Sequence, residues 1–353
     1  MEKVLMKGNE AIAEAAMRAG CRHFYGYPIT PQTEVSAYMA KNMPKVGGLF
    51  MQAESEIAAI NMVYGSASAG VRAMTSSSSP GISLKAEGIS YMAGADLPCV
   101  ILNIVRGGPG LGGIQPAQSD YFQATKGLAH GDFNLVVLAP SSIQECVDLT
   151  MEAFDIADQY RMPVMIMGDG MLGQMMEPVS FGEYKGRELP PKTWATNGTG
   201  LKRKHNVVNS LYIDPDTLEK TVIDRDKMYN EIKKTEVKYE AENIEDADII
   251  MVAYGTIGRI VKNAIKKARE EGIKVGLIRP ITLWPFPEEV INKAADTAKA
   301  FISVEMSTGQ MVEDVKLAVN GKAKVDFFGR TGGVIPIPDE ILAKIKEVAG
   351  GIK

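Results

Sequence analysis

From residue 8 to about residue 170 the chain alternates short β-rich runs with segments of helical period, the pattern of a parallel sheet covered by helices. Expected strands are Arg22–Gly26, Val71–Thr75, Cys99–Val105, Leu135–Leu138 and Pro163–Met167. Expected helices include Asn9–Ala19, Glu56–Ala69 and Ser142–Gln159. Several of these strands end in glycine or small polar residues, and in open α/β sheets ligands gather at the carboxyl ends of the strands.

The pattern breaks between about residues 179 and 245, where Pro190-Pro191, Asn197-Gly198 and Lys202-Arg203-Lys204 precede a charge-dense stretch from Asp214 to Glu242. This reads as a connector with one amphipathic helix, its basic triplet either a solvated turn or a phosphate contact. A second α/β unit follows, with strands expected at Asp248–Ala253, Lys274–Ile278 and Phe301–Val304 and a helix at Ile257–Glu271. The expected organisation is therefore a sheet domain over 1–178, a connector over 179–245 and a smaller α/β domain over 246–353, as suits a chain of 353 residues.

With 45% apolar and 23% charged residues the chain has a core to bury, and disorder is not expected. A net charge of −4 leaves no basic excess to neutralise a row of phosphates, which argues against nucleic-acid binding. The opening Met1–Lys7 has no apolar core before a cleavage site, and no uncharged run approaches bilayer length, so a cytoplasmic protein without a membrane segment is expected. Cys21, Cys99 and Cys146 lie far apart and suit neither a disulfide framework nor an iron–sulfur site within this chain. Three histidines, at 23, 130 and 205, make a His-based metal site or a Ser-His-Asp triad improbable.

Five segments carry possible chemistry. Tyr27-Pro28-Ile29-Thr30-Pro31 reads as a rigid turn that starts a helix, with Thr30 as N-cap and Pro31 in the first helical position. Its hydroxyl or amides either cap the helix or meet an anion. Gln52-Ala53-Glu54-Ser55-Glu56 opens an apolar helix, where a carboxylate either complements the helix dipole or is held dry to exchange a proton. Thr75-Ser76-Ser77-Ser78-Ser79-Pro80-Gly81 leads from strand to helix with little bulk before its backbone amides, as either a capping loop or an anion cradle. Arg106 precedes Gly107–Gly113, which contains a formal G-x-G-x-x-G from Gly108. Pro109 inside it and Gln115-Pro116 after it contradict a dinucleotide fingerprint, so a mobile, lid-like loop is expected, with Arg106 either solvated or free to grip a carboxylate. Gly168-Asp169-Gly170 followed by Asn197 is similar to a magnesium-diphosphate motif, but Pro178, Pro190 and Pro191 break the helix that motif needs, and a strand-ending turn is the reading.

Taken in order, Gly26–Pro31, Gln52–Gly65, Thr75–Leu84, Leu97–Gly113 and Pro163–Pro178 resemble the pyrimidine-binding domain of thiamine-diphosphate-dependent 2-oxoacid:ferredoxin oxidoreductases. Downstream, Val252–Gly255, Ile278–Pro280 through Trp284–Pro287, Val304–Met306 with Gly309–Met311, and Gly329–Gly333 resemble that family's transketolase-C-terminal-like domain. Within the family, Met6–Glu10, Ser76–Ser79 and Gly173–Pro178 are most similar to the branched-chain (3-methyl-2-oxobutanoate) type.

The resemblance implies that Glu56 hydrogen-bonds N1′ of the cofactor's aminopyrimidine and drives deprotonation of the thiazolium, with Glu54 the rival if the helix is out of register. It implies substrate contacts from Thr30 and Arg106 and a cofactor lining of Tyr27, Pro28, Ile29, Ser78 and Gly81. Thiamine diphosphate would be shared with a beta subunit that binds its diphosphate and Mg2+, while [4Fe-4S] clusters would sit on partner subunits, among them a ferredoxin-like or gamma subunit. The implied reaction is oxidative decarboxylation of a 2-oxoacid with coenzyme A, electrons passing to ferredoxin, in a hetero-oligomer. Three alternatives stay open: 2-oxoglutarate as substrate, a non-catalytic assembly subunit, and a nucleotide-dependent dehydrogenase using Gly108–Gly113.

Overall fold

The computed structural model describes residues 3–352. Met1 and Glu2 of the N-terminal reading, and Lys353 of the expected 246–353 unit, lie outside the described residues. The first half of the chain runs β1 Val4–Lys7, α1 Gly8–Arg18, β2 His23–Gly26, α2 Thr33–Asn42, β3 Leu49–Gln52, α3 Glu56–Ser68, β4 Ala73–Ser77, α4 Pro80–Gly94 and β5 Cys99–Val105. It continues through α5 Tyr121–Lys126, β6 Val136–Leu138, α6 Ile143–Tyr160, β7 Pro163–Asp169, α7 Gly170–Gln174 and β8 Met176–Val179. After a long irregular stretch come α8 Pro215–Thr235, β9 Tyr239–Glu242, β10 Ile249–Val252, α9 Gly255–Glu270, β11 Val275–Pro280 and β12 Thr282–Trp284. The chain ends in α10 Glu288–Ala294, β13 Ala300–Glu305, α11 Met311–Val319, β14 Lys324–Gly329 and α12 Pro338–Gly351.

The main sheet has the order β12-β6-β7-β5-β4-β2-β3. Its strands from β6 to β3 are parallel, with β5 and β7 in register from Cys99↔Pro163 to Val105↔Asp169. Every residue of β5 is buried because helices cover both faces, and a strand buried on both sides reads as a continuous apolar run. One face packs Ile12, Phe24, Leu102 and Phe154 together; the other packs Ile60, Ile82 and Ile101 into a core that continues into Ile250 and Phe301 of the second sheet. That second sheet has the order β14-β13-β10-β11-β9.

The two units exchange edges. From the charge-dense stretch, β9 pairs antiparallel with β11 of the second sheet. In return β12 leaves the second unit to pair antiparallel with β6 of the first, Thr282 opposite Leu138. Trp284 of β12 meets Tyr229 of α8 edge-on, with ring centroids 5.7 Å apart.

The sheet order fixes where a ligand can enter. From β2 the chain moves outward to β3, then crosses back to place β4 on the other side of β2. The crevice between the carboxyl ends of β2 and β4 is therefore a topological switch point, the usual ligand position in such sheets.

Two local expectations are corrected. Helix α2 begins at Thr33 with Gln32 as its N-cap, so Thr30 is not the cap and Pro31 is not its first residue. Thr30 and Pro31 instead lie in a turn in which the Ile29 carbonyl accepts from the Gln32 N–H at 3.2 Å, delaying the helix. Strand β4 runs on to Ser77, two residues past the expected end, so Ser76 and Ser77 are strand residues and Ser78-Ser79 alone make the passage to α4.

Candidate active site

At the switch point the first turn of α3 presents a buried carboxylate. Ser55 caps that helix, its hydroxyl accepting from the Ala58 N–H at 3.1 Å, which closes one of the free N-terminal amides. The cap separates the two candidate acids: Glu54 stays outside the helix and exposed, whereas Glu56 is its first residue and only 5% exposed. Facing Glu56 is Gly81, in the first turn of α4. A Cβ there would stand 2.6 Å from Glu56 Oε1 and 2.0 Å from Ser77 Oγ, so glycine is what leaves room for the carboxylate.

Around this pair lies a set of buried hydroxyls. Among the described residues Thr75 Oγ1, Ser77 Oγ and Ser78 Oγ have no hydrogen-bond partner, and neither has Nε2 of buried Gln32. Ser76 differs, donating to Gln32 Oε1 at 2.6 Å. Buried polar atoms without partners are uncommon and ask for a reason, and several at one strand end suit a polar ligand. Ser78 and Gly81 of the expected cofactor lining are thus brought beside Glu56. Tyr27 and Pro28 follow β2 at the same sheet edge but are exposed, with Ile29 half-buried.

Arg106 leaves β5 at the same edge and is buried, not solvated. It donates through Nη1 to the Thr30 carbonyl at 2.9 Å and through Nη2 to the Leu111 carbonyl at 3.2 Å, while Nε has no partner among the described residues. Thr30 and Arg106 therefore meet through a main-chain oxygen, and the Thr30 side of the turn is exposed. The glycine-rich loop is tied at its base, the Gly107 N–H donating to the Gln115 carbonyl at 3.1 Å and the Gly113 N–H to the Gly107 carbonyl at 2.9 Å. Gly112 has φ +58°, and a Cβ on it would strike the Gly107 carbonyl. From the second unit Gly333 packs on Gln115 so closely that a side chain would not fit.

A supporting network beneath the loop is not foreshadowed by the motifs. Asp120 accepts from Ser79 Oγ at 2.6 Å and from Asn103 Nδ2 at 3.0 Å, and Asn103 Oδ1 accepts from the Ser79 N–H at 3.1 Å. Burial pushes the Asp120 carboxyl up, opposed by those two donors. The network holds Ser79 at φ +24°, a strained backbone for a side-chain-bearing residue. One signal was available: Asn103 is the single polar residue in the run Cys99–Val105.

The Gly168-Asp169-Gly170 turn serves another purpose. Asp169 Oδ1 accepts from the Met171 and Leu172 N–H groups at 2.9 and 3.0 Å, capping α7, and Oδ2 accepts from the Thr256 hydroxyl of the second unit. Asn197 is turned to Arg203, from which it accepts at 3.0 Å. Cys21, Cys99 and Cys146 are buried, and burial pushes their thiols up, that of Cys21 to about 12. Among the described residues no helix is long and apolar enough to cross a membrane.

Known proteins share the sequence and fold of this chain. Residues 14–246 match the family model described as pyruvate flavodoxin/ferredoxin oxidoreductase, thiamine diphosphate-binding, and residues 247–341 match pyruvate:ferredoxin oxidoreductase core domain II. The chain is 50% identical over 350 residues to the ketoisovalerate oxidoreductase subunit VorB of Methanothermobacter marburgensis, covering 99% of both chains. It is 38% identical to the 2-oxoglutarate synthase subunit KorA of Methanothermobacter thermautotrophicus, covering 98% of each. A solved 2-oxoglutarate:ferredoxin oxidoreductase from Magnetococcus marinus superposes with a TM-score of 0.86 at 28% identity, over 98% of this chain and 65% of that one.

Proposed function

Because the chain belongs to the thiamine-diphosphate-binding pyruvate flavodoxin/ferredoxin oxidoreductase family, we propose that it is the pyrimidine-side subunit of a complex oxidising a branched-chain 2-oxoacid, 3-methyl-2-oxobutanoate. The products are an acyl-CoA, carbon dioxide and a pair of electrons delivered to ferredoxin. The observation that carries this reading is the buried Glu56 carboxylate, bordered by Gly81 and by unpartnered hydroxyls at the switch point.

These residues suit the aminopyrimidine half of thiamine diphosphate, which needs a dry carboxylate opposite one ring nitrogen and small residues where the flat ring lies. Bound, the cofactor supplies the nucleophilic carbon and the electron sink for decarboxylation. Glu56 would hold and exchange a proton at N1′ through its carboxyl oxygens. Gly81 and Ser78 would border the ring, with Tyr27, Pro28 and Ile29 on the side of β2. The buried, unpartnered Nε of Arg106 would turn to the substrate carboxylate, its two terminal nitrogens already anchoring it to both neighbouring loops, and Thr30 would meet the keto oxygen. The diphosphate with Mg2+, the [4Fe-4S] clusters and the path to ferredoxin are assigned to beta and ferredoxin-like or gamma partner subunits, with coenzyme A as co-substrate. The 50% identity to a ketoisovalerate subunit against 38% to a 2-oxoglutarate subunit favours the branched-chain acid.

The test is Glu56→Gln, which keeps size and removes acid–base function. In the assembled complex it should slow exchange of the cofactor C2 proton and turnover by about 10²–10⁴-fold, the span of a positioned acid–base group, with assembly intact. A carboxylate that only favours the helix dipole would instead lose about 0.3–1 kcal/mol of stability and little rate. Near-normal proton exchange by NMR in that variant refutes the assignment. Acyl-CoA analysis with a panel of 2-oxoacids decides the substrate: 3-methyl-2-oxobutanoate should exceed 2-oxoglutarate in kcat/KM, and the reverse order would reassign the acid without touching the mechanism.

A further inference from the structure

Helix α4 grips Glu56 at two points. Gly81 gives its carboxylate room, and four residues on, hence on the same helix face, Lys85 donates from Nζ to the Glu56 main-chain carbonyl at 3.4 Å. Lys85 is 0% exposed although it is a lysine, and among the described residues that carbonyl is its hydrogen-bond partner. Helices α3 and α4 are pressed together at Gly88, where a Cβ would meet Ile60 at 2.5 Å, and Lys85 lies buried one turn before that contact. An ammonium buried on one weak hydrogen bond is costly to fold. The fold keeps it at the foot of Glu56.

We propose that Lys85 is a positioning residue for cofactor activation: its buried ammonium fixes the first turn of α3 and supplies the counter-charge for Glu56 once that residue has passed its proton to the pyrimidine nitrogen. This rests on the role proposed above for Glu56. The step moves one proton from a Glu56 carboxyl oxygen to N1′, and Lys85 keeps its own. Other charged groups around the site are engaged elsewhere, Asp120 with Ser79 and Asn103. On α4, Glu87 pairs with Tyr91 at 2.5 Å; on β7, Asp169 is held by Thr256 and α7; and Arg106 is turned to Thr30 and Leu111. Strand β4 offers the neutral Thr75, Ser76 and Ser77. Burial pushes the Lys85 ammonium down to about 8, against the opposing pull of Glu56, so its charge is present below that pH and lost above it.

The experiment follows C2-proton exchange by NMR against pH in the assembled complex, with melting and thiamine diphosphate affinity. It compares wild type, Lys85→Met, Lys85→Arg, Glu56→Gln and the double variant Glu56→Gln/Lys85→Met. Lys85→Met should slow exchange on the order of tenfold, the factor carried by a one-unit change in proton affinity, with the KM for the 2-oxoacid unchanged. It should also melt higher, because a buried charge is gone, whereas a purely structural lysine would be missed on melting. Wild-type exchange should fall as pH rises through about 8, and Lys85→Arg, whose guanidinium stays charged, should hold its rate beyond that point. The double variant should be no slower than Glu56→Gln. Wild-type exchange in Lys85→Met, or an unchanged alkaline fall in Lys85→Arg, overturns the role of Lys85 while a slow Glu56→Gln leaves that of Glu56 standing. Normal exchange in Glu56→Gln removes both.

Discussion

Arg106 illustrates how one side chain can be both anchored and available. Two of its nitrogens are bound to the Thr30 and Leu111 carbonyls, which fixes the planar guanidinium and leaves Nε buried without a partner among the described residues. Arg106→Ala should therefore raise the KM for the 2-oxoacid by about one to two orders of magnitude, the worth of a charge-assisted hydrogen bond of roughly 1.5–3 kcal/mol, and leave cofactor affinity largely unchanged. Steady-state kinetics across several 2-oxoacids checks this, and an unchanged KM for all of them would leave Arg106 as a loop anchor. At this scale Glu56, Gly81 and Arg106 were legible in the sequence because each stands where a strand or helix begins or ends. Lys85 and Gln32 were not. Ser83-Leu84-Lys85-Ala86-Glu87 reads like any solvated helix face, and it is the packing of α3 on α4 that buries Lys85.

The elements that build the site were legible where burial on both sides left a nearly continuous apolar run, as in β5 and β7, or where a cap and an apolar stripe coincide, as in α3 and α6, whose N-cap serines 55 and 142 accept from the Ala58 and Glu145 N–H groups. Strand β3 escaped because it is a four-residue edge strand whose apolar run, Leu49-Phe50-Met51, is too short to be told by periodicity from the end of a helix or a loop, and its residues are mostly exposed. The short β12 escaped because its partner lies in the other unit. The first turn of α4 packs closely on both α3 and β4 at the site, and it yields a test. Gly81→Ala would place a methyl group within 2.6 Å of Glu56 Oε1 and 2.0 Å of Ser77 Oγ. The helix itself tolerates alanine better than glycine, so the secondary structure should survive while the site deforms. Overpacking of about 1–3 kcal/mol should weaken thiamine diphosphate binding by roughly one order of magnitude, read by calorimetry on the assembled complex. Wild-type affinity in a folded Gly81→Ala complex would mean the ring does not approach this turn.

At the scale of the whole molecule, the two units are held by contacts that periodicity along the chain cannot reveal, since those between Gln118, Tyr121 or Asp169 and the second unit join residues more than eighty positions apart. Gln118 bonds to Tyr254 and Met306, Tyr121 to Asp314, and Asp169 to Thr256. The strongest such tie is Arg279, buried on β11, which donates to both carboxylate oxygens of Glu145 on α6 at 2.6 and 3.1 Å and to Glu240 on β9 at 2.6 Å. Arg279→Ala removes the shared cation of two acids, leaving Glu240 to Lys262 and Glu145 to Ser141. It should lower the unfolding free energy by about 3 kcal/mol, the low end for losing one partner of a buried pair because both carboxylates keep some solvent. The acid limb should report the same tie. Burial tends to raise the Glu240 carboxyl, but hydrogen bonds from Lys262 and Arg279 outweigh it and hold the group down at about 2. A carboxyl depressed on folding contributes stability that is fully present above its unfolded value, near 4.3, and is lost as pH falls toward its folded one. Wild-type melting temperature should accordingly drop between about pH 4.5 and 2, and Arg279→Ala should drop less over that window because part of the depression is already gone. Equal acid slopes for the two proteins would show that Lys262 alone holds Glu240 down, leaving Arg279 to act through Glu145.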